Sequence, residues 1–166
     1  QLAQNDIYAT SNAVSDKNTS LGLSSGTLKI TIKGLDYNAA YDNTYSLQNI
    51  ADEINKTART YNGDFRASVV NVGTQSNPQY KLVISGTKTG QENALKISDS
   101  GNLISTLGLD HIKTAQDAQI KYEGLTITNS TNTFTNISGL SITVNQTGDT
   151  TINVSNNSQP ITDALN

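Results

Sequence analysis

At 166 residues, with 34% hydrophobic and 15% charged side chains and a formal net charge of −3, the chain has room for one domain or two small ones. It has no cysteine, which excludes disulfides and thiolate metal sites. It also has no run near the roughly 20 apolar residues that span a bilayer. Scattered Lys without a basic stripe, no Trp and two Phe argue against a nucleic-acid surface.

Ser, Thr, Asn, Gln and Gly fill much of the remainder, poor material for helices but suited to antiparallel sheets with polar outer faces. Regular apolar alternation and the small net charge argue against a disordered polar tract.

The start, Gln1-Leu2-Ala3-Gln4, lacks an initiator Met and a signal-peptide pattern, and reads as a piece of a longer protein. Residues 1–20 are polar, with a short apolar element at Ile7-Tyr8 and a loop through Ser15-Asp16-Lys17-Asn18. Residues 26–34 alternate cleanly: Leu28, Ile30 and Ile32 face one way, Thr27, Lys29, Thr31 and Lys33 the other. That pattern predicts a half-buried strand bracketed by glycines. A weaker returning strand is expected around Tyr37 to Tyr41.

Residues 46–58 carry the one convincing helix signal. Leu47, Ile50, Ala51, Ile54 and Ala58 make one stripe of a 3.6-residue period, behind Ser46 as N-cap and ahead of Asn62-Gly63 as a left-handed stop. A helix this short is marginal alone in water, so its stripe must lie against a sheet. Strands are then expected at 64–72, where Phe65, Ala67 and Val69 alternate, at 79–85 and at 94–98. A loop at 71–78 and a turn from Gly86 to Gly90 separate them, and 101–109 has room for one helical turn. Three further alternating stretches follow, at 118–127, 140–144 and 151–154.

These elements predict an α+β, β-rich chain: two small domains of mainly antiparallel sheet, one carrying a single amphipathic helix packed on its sheet. The α+β unit is expected at 23–112. The last block is thin for a domain, so residues 1–22 are expected to return and complete it with 113–166. The α+β unit is then an insertion.

Reactive chemistry finds little support. His111 is the only histidine and stands beside Asp110 in an expected loop; plentiful serines make any triad reading empty. Asp52 and Glu53 are adjacent on a helix and point about 100° apart. Asp110, Asp117 and Glu123 are close in sequence, but nothing gives them the separation a glycosidase needs. Gly22, Gly26 and Gly34 flank a strand, so they form no phosphate cradle. Asn-x-Ser/Thr triplets at Asn18, Asn55, Asn129, Asn136, Asn145, Asn153 and Asn156 reflect composition, not glycosylation. No catalytic residue, cofactor site or metal site is expected, and the chain reads as no enzyme.

The order of motifs carries a resemblance. Gly26-Thr27-Leu28-Lys29-Ile30 leads to the helix with Ile54-Asn55, then Ala67-Ser68-Val69-Val70, Tyr80-Lys81-Leu82-Val83-Ile84-Ser85 and Lys88-Thr89-Gly90-Gln91-Glu92-Asn93. Gln1-Leu2-Ala3-Gln4, Ala115-Gln116-Asp117-Ala118 with Tyr122-Glu123-Gly124, and Ser130-Thr131-Asn132-Thr133-Phe134-Thr135 before Gly139-Leu140-Ser141-Ile142-Thr143-Val144 complete it. Together these resemble the head region of the flagellar filament cap family, hook-associated protein 2, in the style of its Helicobacter and Campylobacter members.

The resemblance implies two head domains, D2 with D3 inserted in it, in an extracellular protein at the distal tip of the bacterial flagellum. Such a protein is exported by the flagellar apparatus without a cleaved signal peptide. Its implied partners are further copies of itself in a cap ring, and flagellin; neither nucleic acid nor membrane insertion is implied. Which head residues contact neighbours is not readable from the sequence. A surface-exposed β-rich binding module, such as an adhesin or phage-tail-like receptor domain, would share this composition. So would the variable domain of another hook-associated protein or of a flagellin.

Overall fold

The computed structural model describes residues 1–137 and 139–151. In chain order, β1 (Ile7–Thr10), β2 (Gly26–Ile32) and β3 (Leu35–Tyr41) precede helix α1 (Leu47–Tyr61). Then come β4 (Phe65–Asn71), β5 (Tyr80–Gly86), a 3-10 turn at Gln91–Asn93, β6 (Lys96–Asp99) and the short α2 (Leu103–Leu107). β7 (Leu109–Lys113), the hairpin β8 (Ala118–Tyr122) and β9 (Leu125–Asn129), and the short strands β10 (Thr133–Phe134) and β11 (Ile142–Thr143) follow.

The helix forms as its sequence dictates. The Ser46 hydroxyl accepts from the Asn49 N–H, and the Asn49 side chain accepts from the Ser46 N–H, which closes a capping box. Asn62 takes the left-handed conformation that ends the helix. Leu47, Ile50, Ala51, Ile54 and Ala58 are all buried, Ile54 completely. The stripe lies against β3 and β4 and meets the buried face of β2, where Leu28, Ile30 and Ile32 point inward.

Two sheets enclose this core. One is β3-β2-β6; the other, with four strands, is ordered β4-β5-β1-β7, and every pairing is antiparallel. A smaller cluster of Ala3, Ala118 and Phe134, flanked by Ile120, Ile127, Ile142 and Val144, lies under β8–β9 and β10–β11.

Several expectations change. Ile7-Tyr8 belongs to β1, a middle strand of the four-stranded sheet, while residues 1–4 alone bond to the 116–119 segment and Asn132. His111 is on an edge strand, β7, where a loop was expected, because pairing with β1 needs no apolar alternation. The stretch 118–127 is a hairpin, not one strand: Glu123 and Gly124, at φ 49° and 82°, form the two-residue turn that matches strand twist. The strand expected at 151–154 lies outside the described residues apart from Thr151.

Candidate functional site

The residues weighed for chemistry scatter over the fold. Asp110 neighbours His111 on β7, and strand alternation sends the two side chains to opposite faces. Asp117 accepts from the Gln91 N–H at 2.9 Å, tying the 116–118 segment to the 3-10 turn. Glu123 caps the exposed tip of the β8–β9 hairpin. Asp52 accepts from the Gln48 side chain, and Glu53 is ion-paired with Lys56 at 3.0 Å. Gly26 is needed for space, since a Cβ there would stand 2.7 Å from the Tyr41 hydroxyl.

What the sequence did not announce is Asp6. Its carboxylate is fully buried and accepts from three groups: His111 Nε2 at 2.8 Å and the Ala115 N–H at 2.5 Å on Oδ1, and the Leu95 N–H at 2.6 Å on Oδ2. The Asp6 carbonyl accepts from the Gly86 N–H. His111 lies opposite Tyr8 in the β1–β7 register and stacks on it, ring centroids 4.3 Å apart and planes 5° from parallel. The Tyr8 hydroxyl donates to the Leu95 carbonyl, and burial, then the Asp6 charge, push the phenol above its ordinary pKa.

This is the geometry of a clasp. Both carboxylate oxygens of Asp6 accept from donors of the fold, and His111 has no hydrogen-bonded hydroxyl among the described residues. Gln4 and Gln116 bond reciprocally through their backbones beside it, so the clasp sits where the chain passes twice between the two clusters. No signal short of the pairing itself would have found Asp6, because a single acid before Ile7-Tyr8 reads as a solvated residue.

The surface offers shallow relief. Two open clefts of about 420 and 380 Å³ flank α1; the larger is bordered by Arg59 and Arg66, the smaller by Asp52, Glu53 and Lys56. Among the described residues no group of three or more His, Asp or Glu gathers to hold a metal, and no helix is long and apolar enough to cross a membrane. Exposed apolar side chains are few; Leu35 and Leu125 directly follow the hairpin turns at Lys33-Gly34 and Glu123-Gly124, and Leu125 lies opposite exposed Tyr122.

Comparison with known proteins gives one consistent picture. No family model matches the chain. Flagellar hook-associated protein 2 of Campylobacter jejuni is 25% identical over an alignment of 205 residues that takes in 99% of this chain and 31% of that protein. The protein of the same name in Escherichia coli K12 is 30% identical over 149 residues, covering 80% of this chain and 30% of its own length. The chain therefore spans about a third of the relatives it matches.

Among solved structures, the D2-D3 domains of the E. coli flagellar cap protein FliD superpose with a TM-score of 0.77 at 25% identity, over 90% of this chain and 80% of that one. The D1-D2-D3 form of the same protein gives 0.74 at 26% identity, over 99% of this chain and 51% of that one. The chain thus resembles the D2-D3 region of flagellar cap proteins in sequence and in fold.

Proposed function

We propose that this chain is the head piece of a flagellar filament cap protein, a structural component that stands at the filament tip and helps flagellin polymerise. The observation that carries this reading is the match in fold across 90% of the chain to the D2-D3 domains of a flagellar cap protein. It is supported by alignments to hook-associated protein 2 that take in 99% of the chain for one relative and 80% for the other. The role is scaffolding, not catalysis: in the acid–histidine pair, the buried Asp6 is also held by two backbone N–H groups, from Leu95 and Ala115. The site of action is outside the cell, reached through flagellar export, and the partners are further cap subunits and flagellin.

The chain is also proposed to be nested, a β-rich unit formed by both ends with an α+β unit inserted. The expected boundaries fall at 22/23 and 112/113. The pairing of β1 with β5 and β7 favours crossings near Asn5 and Thr114 instead. Limited proteolysis that released 113–166 as a folded, separately stable fragment would count against nesting.

The cap reading is tested by deleting the gene that encodes the full-length protein. Loss of filament growth and motility, restored by the intact gene, is expected; normal filaments in the deletion strain would refute it. In isolation the 166-residue chain is expected to be monomeric, since its exposed apolar side chains are few and lie in small separate groups, such as Tyr122 with Leu125 and Val70 with Val72. Light scattering of the purified chain that showed a stable ring would overturn that expectation.

A further inference from the structure

The four-stranded sheet ends at β4, and the outer edge of β4 carries a plug. The side-chain amide of Asn55, on α1, donates from Nδ2 to the Ala67 carbonyl at 2.9 Å and accepts on Oδ1 from the Ala67 N–H at 2.8 Å. Both bonds are made with the backbone of one strand residue, the pattern a neighbouring strand would supply. Adjacent helix positions divide the labour. Ile54 is fully buried in the core, and Asn55, turned about 100° from it, reaches the strand edge.

Alternation in the ladder tells which groups lie on that edge. The Val72 N–H donates to the Gln79 carbonyl and the Thr87 N–H to the Asp64 carbonyl, so the even-numbered residues of β4 bond to β5 and the odd-numbered ones face outward. Phe65, Ala67, Val69 and Asn71 therefore share the open edge, and among the described residues only Ala67 has hydrogen bonds to both of its edge groups. Residues 67–72 are uncharged, and Val70 and Val72 are 41% and 57% exposed. β4 carries one charge, Arg66, at its start, whereas the other edges carry charges that discourage pairing within them: Asp110 and Lys113 on β7, Asp36 on β3, Lys96 and Asp99 on β6.

We propose that Asn55 is an edge guard: its amide occupies the Ala67 rung, within the open edge of β4, and prevents a second copy of this chain from adding its own β4 antiparallel to this edge. An uncharged run of valines with three consecutive open rungs is a strand-pairing template. With the Ala67 rung taken, Phe65 is cut off from Val69 and Asn71, and no three consecutive rungs remain open. The occupant excluded is a second β4 because the stretch 67–72 carries no charge to repel its own copy, and antiparallel pairing of a strand with itself is isologous. The inference concerns the chain itself and stands apart from its proposed role in a cap.

The test compares three variants of the 166-residue chain at micromolar concentration, by size-exclusion chromatography with light scattering and by urea unfolding. Asn55→Ala is expected to lose stability and at least double its weight-average mass, with a gain of β signal in the associated fraction. Ser46→Ala, which weakens the same helix without touching the edge, is expected to lose stability and keep the monomer mass. Asn55→Ala with Val70→Lys, which restores a charge to the edge, is expected to return to the monomer without regaining stability. A monomeric Asn55→Ala, equal association of Ser46→Ala, or failure of Val70→Lys to reverse the association would each overturn the proposal. None of these results bears on whether the full-length protein caps a filament.

Discussion

Asp6 Oδ1 and His111 Nε2 lie 2.8 Å apart across 105 positions of sequence, and the acid is fully buried while the histidine side chain keeps 35% of its surface exposed. The pair joins β7 to the segment that enters β1, and the bonds from Leu95 and Ala115 draw the ends of two other loops onto the same carboxylate. A buried carboxylate is tolerated only when its acceptor sites are filled. Here the filling is done by three donors from two distant stretches, Leu95 and the segment 111–115, so the residue acts as a tertiary fastener.

Asp6→Asn tests that fastening most directly. The amide keeps one acceptor and turns an N–H₂ toward a backbone donor, so the change should cost about 3 kcal/mol of unfolding free energy. His111→Ala removes one of three donors and should cost less, about 1–2 kcal/mol. In the double variant the two losses should fall short of their sum, as expected for groups in direct contact. Urea titration of the four proteins measures all three quantities; additive losses would show that the pair is not coupled.

The sequence announced what local periodicity can announce. The stripe from Leu47 to Ala58, the caps at Ser46 and Asn62, and the alternation of Leu28, Ile30 and Ile32 each show their buried face within a few residues. β7 was hidden because Asp110, His111 and Ile112 are all exposed on an edge strand, which leaves no alternating pattern. Asp6 and Asn55 were hidden for a different reason: each is a polar residue whose partner lies elsewhere, at Ala115 and Ala67. Composition marks such residues as solvated, and only tertiary structure reveals what they hold.

Two substitutions separate the local and tertiary contributions to α1. Ser46→Ala removes the acceptor for the Asn49 N–H and half of the capping box, an expected loss of about 1 kcal/mol. Ile54→Ala leaves a cavity in a site with no exposed surface, an expected loss of about 2–5 kcal/mol. Thermal melts followed by far-ultraviolet circular dichroism should rank them in that order. The reverse rank would mean that the helix stands largely by its own propensity, contrary to its dependence on the sheets.

Stability should fall at both ends of the pH scale for different reasons. The backbone N–H of Asn18 holds the carboxyl of Asp16 below its ordinary value near 3.8, as the hydroxyls of Thr31 and Thr44 do for Asp36 and Asp42. A depressed folded-state pKa gives stability that is complete above the unfolded value and is lost as pH falls through the folded one, so the acid arm lies below about pH 4. Tyr41 is shifted the other way, by burial and then by its hydrogen bond to Asp99, and Tyr8 by burial and then by Asp6. Above about pH 10 the unfolded chain releases these phenolic protons while the folded one retains them, and stability falls as pH rises. Melting temperature against pH should show a plateau with both arms. Tyr41→Phe should flatten the alkaline arm and leave the acid arm unchanged.

The last prediction concerns the close approach beneath β2. A Cβ on Gly26 would stand 2.7 Å from the Tyr41 hydroxyl and 2.8 Å from the backbone of Gly101. The hydroxyl is itself pinned, donating to Asp99 at 2.6 Å and accepting from the Leu103 N–H at 3.2 Å, so it cannot swing aside without breaking the start of α2. Gly26→Ala should therefore cost about 1–3 kcal/mol through overpacking, although its backbone lies in a conformation that alanine adopts freely. Combining it with Tyr41→Phe separates the two obstacles. If the hydroxyl is the main one, the double variant should recover part of the loss; if the Gly101 backbone is, it should recover none.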